Sequence, residues 1–314
     1  AVVATSAGGH ERALAALRAA HVPILTSREV GEAEVNDLVG RADVVLDGLA
    51  GIGSQGALRG EAARIVRLVR DAAARAPRAR VIAVDVPSGV GVDDGSVPGE
   101  VLPADLTVTM GVAKPALLLP PAALLAGTIL TVDLGLDLGP LPADVQRLDA
   151  QEVRALWTVP GPRSHKYSRG VVGVLAGSDL YPGAAVLATA AAAPLAGMVR
   201  YLGPPAVAAA VLARTPEAVH GAGQVQAWVI GSGVGVTDGD RLAQAREALE
   251  QAMALGLPTV VDAGGLQVLP GSGQLGGHVV LTPHAGELAR LLSARGHAVT
   301  REEVEARPLT HLRL

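Results

Sequence analysis

Apolar and polar positions along the chain alternate between two rhythms. Short Val-, Ile- and Leu-rich runs, ended by Gly, Asp or Pro, alternate with longer segments whose apolar residues recur every three to four positions. The first rhythm suits strands and the second amphipathic helices. In the first half the pattern predicts strands over 43–47, 80–85, 106–110 and 129–133, with helices near 11–20 and 60–76. In the second half it predicts strands over 171–176, 198–202, 227–230, 259–262 and 279–282, with helices over 183–193, 240–255 and 286–293. Strand–helix alternation of this kind implies βα units on parallel sheets, an α/β fold.

Between the halves the rhythm stops. Gly139-Pro140-Leu141-Pro142, a short helical piece over 150–157 and Pro160-Gly161-Pro162-Arg163-Ser164 are punctuation of the sort that separates domains. The expected organisation is a domain over 1–143, a linker over 144–160 and a second domain over 161–314. The 314 residues suffice for two cores.

Composition narrows the function classes. A net charge of −4 supplies no general basic field for nucleic acid or an anionic membrane, so any phosphate site must be local. The chain contains no cysteine, which excludes disulfides and thiolate metal sites and fits a cytoplasmic protein. Two uncharged stretches, 115–132 and 181–199, are read as buried elements rather than membrane spans. Pro120 and Pro121 interrupt the first, and the second is mostly Ala with Thr189 and Pro194. The opening AVVAT reads as a strand, not a signal peptide, and as the middle of something longer.

Three loops in the first half carry chemistry at predicted strand ends, where parallel α/β sheets place their ligands. Asp47 leads into GLAGIGSQGALRG (48–60), whose glycines let backbone approach a phosphate and whose Arg59 adds charge. A plain tight turn explains a lone glycine loop equally well. Asp85 leads into Pro87-Ser88-Gly89, either a local cap or a functional carboxylate and hydroxyl. Lys114, isolated among apolar residues, either snorkels or pairs with Asp47 or Asp85. These clusters, in this order, resemble the YjeF N-terminal domain, the NAD(P)H-hydrate epimerase, over roughly 1–140, with a Rossmann-like three-layer fold. The resemblance implies a potassium ion bound by Asp47 and Ser88. It also implies a phosphate-holding loop of Gly51, Ile52, Gly53, Ser54, Gln55, Gly56 and Ala57, and substrate contact by Asp85. The family's Asn-Asn-Gly-Gly-Asp loop has no counterpart in the sequence.

The second half repeats the arrangement. HKYSRG (165–170) precedes a strand that ends in AGSDLYPGAA (176–185) and a helix start, a geometry suited to anions. VIGSGVG (229–235) and VVDAGGL (260–266) end further strands. TPHAGE (282–287) places His284 and Glu287 at a helix start, where Glu287 reads equally well as a capping carboxylate. A lone strand-end histidine is more often structural than catalytic, but four such loops at one sheet edge favour a site. From about Trp157 onward these motifs resemble the ADP/ATP-dependent NAD(P)H-hydrate dehydratase, a ribokinase-like α/β fold. Ser232 and Gly264 stand where that family usually has Pro and often has Asp.

The second resemblance implies that Ala185, Gly233 and His284 contact the hydrated dinucleotide, with ADP or ATP and Mg²⁺ as co-substrate. The family's Gly-Thr-Gly-Asp loop with its base aspartate has no match here, so no catalytic residue is assigned in this half. Together the two resemblances imply a bifunctional enzyme, isomerase and lyase, truncated at both ends and with both domains incomplete. It would epimerise R and S hydrated NAD(P)H and dehydrate the S form to NAD(P)H, releasing AMP and phosphate. A homo-oligomer is expected, with no nucleic-acid or membrane partner. The rival readings are a non-catalytic dinucleotide-binding remnant and a ribokinase-like vitamin or sugar kinase.

Overall fold

The structure, a computed structural model, describes residues 1–5, 10–137, 139, 143, 145–157, 159–271 and 275–314. Pro140, Leu141 and Pro142 of the punctuating segment, and residues 144 and 158 of the expected linker, lie outside the described residues. The chain divides into two compact units, one of residues 1–147 with 302–314 and the other of 148–301.

In the first unit, β3 (Val44–Asp47), β4 (Arg80–Val84), β5 (Leu106–Met110) and β6 (Thr128–Val132) form a parallel sheet in that order. Two short strands, β1 (Val2–Ala4) and β2 (Ile24–Thr26), pair in parallel beside it as a separate sheet. Helix α3 (Gly60–Ala73) buries Ile65, Val66 and Ala72, and Val66 packs on Val81 of β4. Helix α1 spans Glu11–Ala19, and α2 (Glu32–Gly40) packs Val35 and Val39 beside Ala72. The pleat sends alternate residues to opposite faces. Val81, Ala83, Thr107 and Thr109 are buried on one face, while Val44, Leu46, Val84 and Leu130 are exposed on the other.

The second unit begins with α4 (Ala150–Leu156), started by a capping box of Asp149 and Glu152. Its sheet holds six parallel strands in the order β12 (Val279–Leu281), β11 (Thr259–Val261), β10 (Ala227–Ile230), β7 (Val171–Leu175), β8 (Met198–Leu202) and β9 (Val219–His220). Both faces are covered, as an all-parallel sheet requires. On one side α7 (Gly239–Leu255) packs Ala245, Ala248, Leu249 and Ala252 against Trp228, Ile230 and Val261. On the other, α5 (Pro182–Ala192) and α6 (Pro205–Arg214) pack Ala185, Val207 and Val211 against Val174, Val199 and Tyr201. Strand order runs outward in both directions from the β7–β10 pair, so this sheet has its topological switch point there. Helix α8 spans Ala285–Ala294, and α9 (Arg301–Ala306) and α10 (Pro308–Leu312), from Glu302 onward, are counted with the first unit.

Every strand and helix read from the two rhythms is present, most within a residue or two of its expected ends. Helix α3 stops at Ala73 rather than residue 76, with Pro77 close behind to discourage continuation. The elements missing from the sequence reading are β2, α2, α6, β9, α9 and α10.

Candidate functional site

In the first unit the chemistry gathers at the carboxyl ends of β3, β4 and β5. Asp47, the last residue of β3, is buried at 3% exposure and Ser88 at 0%. The Ser88 hydroxyl donates to Asp47 Oδ1 at 2.6 Å and the Ser88 N–H to Oδ2 at 2.8 Å. The Ala50 N–H in turn donates to Ser88 Oγ at 3.0 Å, tying the glycine loop to the same pair. Among the described residues no cation lies within 4 Å of Asp47, so its buried charge is met by dipoles alone. Residues 51–57 form the turn between β3 and α3, largely exposed, with a Ser54 N–H to Gly51 O bond of 3.0 Å. Arg59 follows as the exposed N-cap of α3.

Asp85 leaves β4 with φ +73, a left-handed conformation that a non-glycine residue holds only when its surroundings impose it. Its Oδ1 accepts from the Met110 N–H at 3.0 Å, the Thr109 hydroxyl at 3.1 Å and Lys114 Nζ. Lys114 therefore pairs with Asp85, not Asp47, and both side chains are mostly buried. Burial alone would raise the Asp85 pKa. The bonds from Lys114, Met110 and Thr109 outweigh it and hold the carboxyl below its ordinary value.

In the second unit the loops after β7, β10, β11 and β12 meet at the switch point. Gly177, with φ +73, donates its N–H to Ser232 O at 2.7 Å, joining the first loop to the second. A Cβ on Gly233 would fall 2.4 Å from the Ala184 Cβ, so the approach of α5 to this loop admits only glycine. Ser232 Oγ donates to Asp262 Oδ2 at 2.9 Å and Thr282 Oγ1 to Asp262 Oδ1 at 3.0 Å, which links the three outer loops through one carboxylate. A cavity of about 590 Å³ opens here, with Tyr181, Gly233, Gly264, Leu266, Glu287 and Arg290 among its walls. At Gly264 a Cβ would lie 2.2 Å from Val234 O, so this backbone has no room for the Asp often found there in the family it resembles.

His284 is the N-cap of α8. Its Nδ1 accepts from the N–H groups of Gly286 at 3.1 Å and Glu287 at 3.3 Å, and Glu287 Oε2 accepts from the His284 N–H at 2.9 Å. Both residues thus do the capping work, while the imidazole stays exposed at the cavity's side of the sheet. Ala185 is fully buried under Gly177. Thr282 and Tyr181 lie within the TPHAGE and AGSDLYPGAA motifs but received no individual role from the sequence, because a motif does not show which of its hydroxyls meets a distant loop. Among the described residues no group of three or more His, Cys, Asp or Glu gathers as a metal cage.

Comparison with known proteins accounts for both halves. Residues 4–116 match the family described as YjeF-related protein N-terminus, and residues 172–309 match the family described as NAD(P)H-hydrate dehydratase. The bifunctional NAD(P)H-hydrate repair enzyme of Mycobacterium tuberculosis is 44% identical over 270 residues, spanning 83% of this chain and 53% of that protein. The chain thus carries two matched domains in tandem, a YjeF-related N-terminus and an NAD(P)H-hydrate dehydratase domain. The corresponding enzyme of Coxiella burnetii is 30% identical over 95% of this chain and 61% of its own length. An NAD(P)H-hydrate epimerase from Clavibacter michiganensis matches the first part, 44% identical over 44% of this chain and 61% of that one. The chain spans about half the length of the mycobacterial bifunctional relatives. Among solved structures, the Bacillus subtilis ADP/ATP-dependent NAD(P)H-hydrate dehydratase co-crystallised with ATP/Mg²⁺ is 26% identical. It covers 51% of this chain and 59% of its own, at a TM-score of 0.43, too loose an overlap to carry residue correspondences.

Proposed function

We propose that the two units repair hydrated NAD(P)H, the first by epimerising its R and S forms and the second by dehydrating the S form. The observation that carries this reading is the joining of separate loops at one carboxyl edge in each unit: Asp47, Ser88 and Ala50, at the start of the glycine loop, in the first, and the Gly177, Gly233, Asp262 and His284 loops in the second.

In the first unit the buried Asp47 carboxylate and Ser88 hydroxyl form a hard-oxygen set with one uncompensated charge, which suits a monovalent cation such as potassium. The cation would balance Asp47, and the 51–57 backbone would hold substrate phosphate. Asp85, kept ionised by Lys114, would face the substrate as an acceptor. In the second unit the Gly233 backbone and the exposed His284 imidazole would line the dinucleotide, with Ala185 setting the height of the Gly177 loop from beneath. ADP or ATP supplies the phosphoryl group that makes the ring hydroxyl a good leaving group. Mg²⁺ would arrive on the nucleotide phosphates, since it needs few protein ligands. We expect the enzyme in the cytoplasm as a homo-oligomer.

Incubating the chain with hydrated NADH, ADP and Mg²⁺, with and without potassium, and following the absorbance of restored NADH tests the reading. Restored NADH supports repair. Stabilisation by hydrated NADH with no turnover would instead favour a binding protein, and phosphorylation of a vitamin or sugar would favour a kinase.

A further inference from the structure

Arg241 is the one buried arginine among the described residues, at 5% exposure, and it has no carboxylate within ion-pair distance. It stands in the first turn of α7, where a cation opposes the positive end of the helix dipole. Burial lowers its pKa from the ordinary value, with the charge of Asp238 pushing the other way. A group with these three handicaps persists when its hydrogen bonds compensate.

Those bonds converge on the carboxyl edge of the sheet. Nε donates to Gly177 O at 3.2 Å, while Nη2 donates to Ala176 O at 3.1 Å and to Leu202 O at 3.0 Å. Nη1 donates to Gln244 Oε1 at 2.5 Å, which orients the fork from one turn along the helix. The hydroxyl of Tyr201 adds a second donor to Ala176 O at 3.2 Å. Three carbonyls at the ends of two neighbouring strands are therefore gripped by one planar cation reaching across from the helix that follows a third strand, β10. Gly177 is bonded on both sides, its carbonyl to Arg241 and its N–H to Ser232 O.

We propose that Arg241 is a positioning residue for the dinucleotide site, a clamp that fixes the Gly177 loop against the Ser232–Gly233 loop without touching the ligand. The proposal rests on the assignment of this edge to hydrated NAD(P)H. A guanidinium suits the task because its rigid fork can grip several carbonyls at once, whereas an ammonium is a point donor. Preformed loops bind without the cost of being ordered at the moment of association.

Two measurements on the full chain test the clamp. The first is amide hydrogen exchange by mass spectrometry in Arg241→Met and Arg241→Lys. Loss of several charge-assisted bonds should speed exchange about tenfold or more over 176–181 and 231–235 in Arg241→Met, with β11 and the rest of α7 unchanged. Arg241→Lys, which keeps one donor point, should fall between it and the wild type. Should Arg241→Met fail to fold, the local increase in Arg241→Lys still decides. Unchanged exchange in these loops, or an increase spread evenly over the unit, would overturn the clamp. The second is calorimetric titration with hydrated NADH, where affinity should fall about tenfold or more in Arg241→Met and recover in part in Arg241→Lys. If the wild-type chain itself does not bind hydrated NADH, the site assignment fails, and the exchange data still judge the clamp.

Discussion

Removing the Lys114 ammonium while keeping its length, in Lys114→Met, should weaken the first unit selectively. Asp85 and Lys114 expose only 18% and 13% of their side chains, so the pair lies between the exposed and the buried limits. Exposed pairs contribute about 0–1 kcal/mol, and breaking a buried one costs about 3–5 kcal/mol. Asp85 keeps its bonds from Met110 and Thr109, so a loss of about 2 kcal/mol is expected. With a typical urea slope of about 2 kcal/mol per molar, the midpoint should fall by about 1 M.

The composition supplies the assay. All the aromatic residues, Trp157, Tyr167, Tyr181, Tyr201 and Trp228, lie in the second unit, so fluorescence reports that unit alone while far-ultraviolet circular dichroism reports both. Lys114→Met should lower the dichroism transition of the first unit and leave the fluorescence transition in place. The pH dependence follows from the depressed Asp85 pKa. A depressed carboxylate contributes stability above its unfolded value, about 3.9, and loses it as pH falls through the folded value. The deficit of Lys114→Met should therefore be full at neutral pH and close in acid. An unmoved dichroism midpoint, or a deficit independent of pH, would refute the role given to the pair.

Gly173→Ala would place a Cβ 2.6 Å from the Trp228 ring, so overpacking should cost the second unit about 1–3 kcal/mol, read by fluorescence-detected urea unfolding. Tyr201→Phe removes one of two donors to Ala176 O and should cost about 1 kcal/mol by the same measurement. If Asp47 holds a monovalent cation, potassium chloride should raise the melting temperature of the first unit above that in choline chloride, and Asp47→Asn should abolish the difference.

The strands were readable because each is a short β-branched run closed by Gly, Asp or Pro, a signal that depends on few residues. Helix α6 escaped because PAVAAAVLAR has no polar face to give its apolar residues a period. Helix α2 escaped for the opposite reason, since only Val35 and Val39 of its nine residues are buried. The site loops were readable as glycine-rich strand ends, and motif resemblance named their residues. What the sequence did not show were bonds between loops far apart in the chain, such as Ser88 with Asp47 or Ser232 with Asp262, which only the parallel register brings together. It did settle less than the structure at Lys114, whose partner could have been either aspartate. Arg241 left one readable trace: a basic residue in the first turn of a helix, where the dipole disfavours it.

The assignment of the second unit turns on whether its switch-point loops hold the hydrated dinucleotide. Calorimetric titration of the chain with the S form of hydrated NADH, beside Gly233→Val, measures this directly. The account predicts saturable binding by the wild-type chain and a loss of about tenfold or more in the variant, whose side chain must displace Ala184 and with it the start of α5. No binding by the wild-type chain, or equal affinity in both proteins, would contradict it.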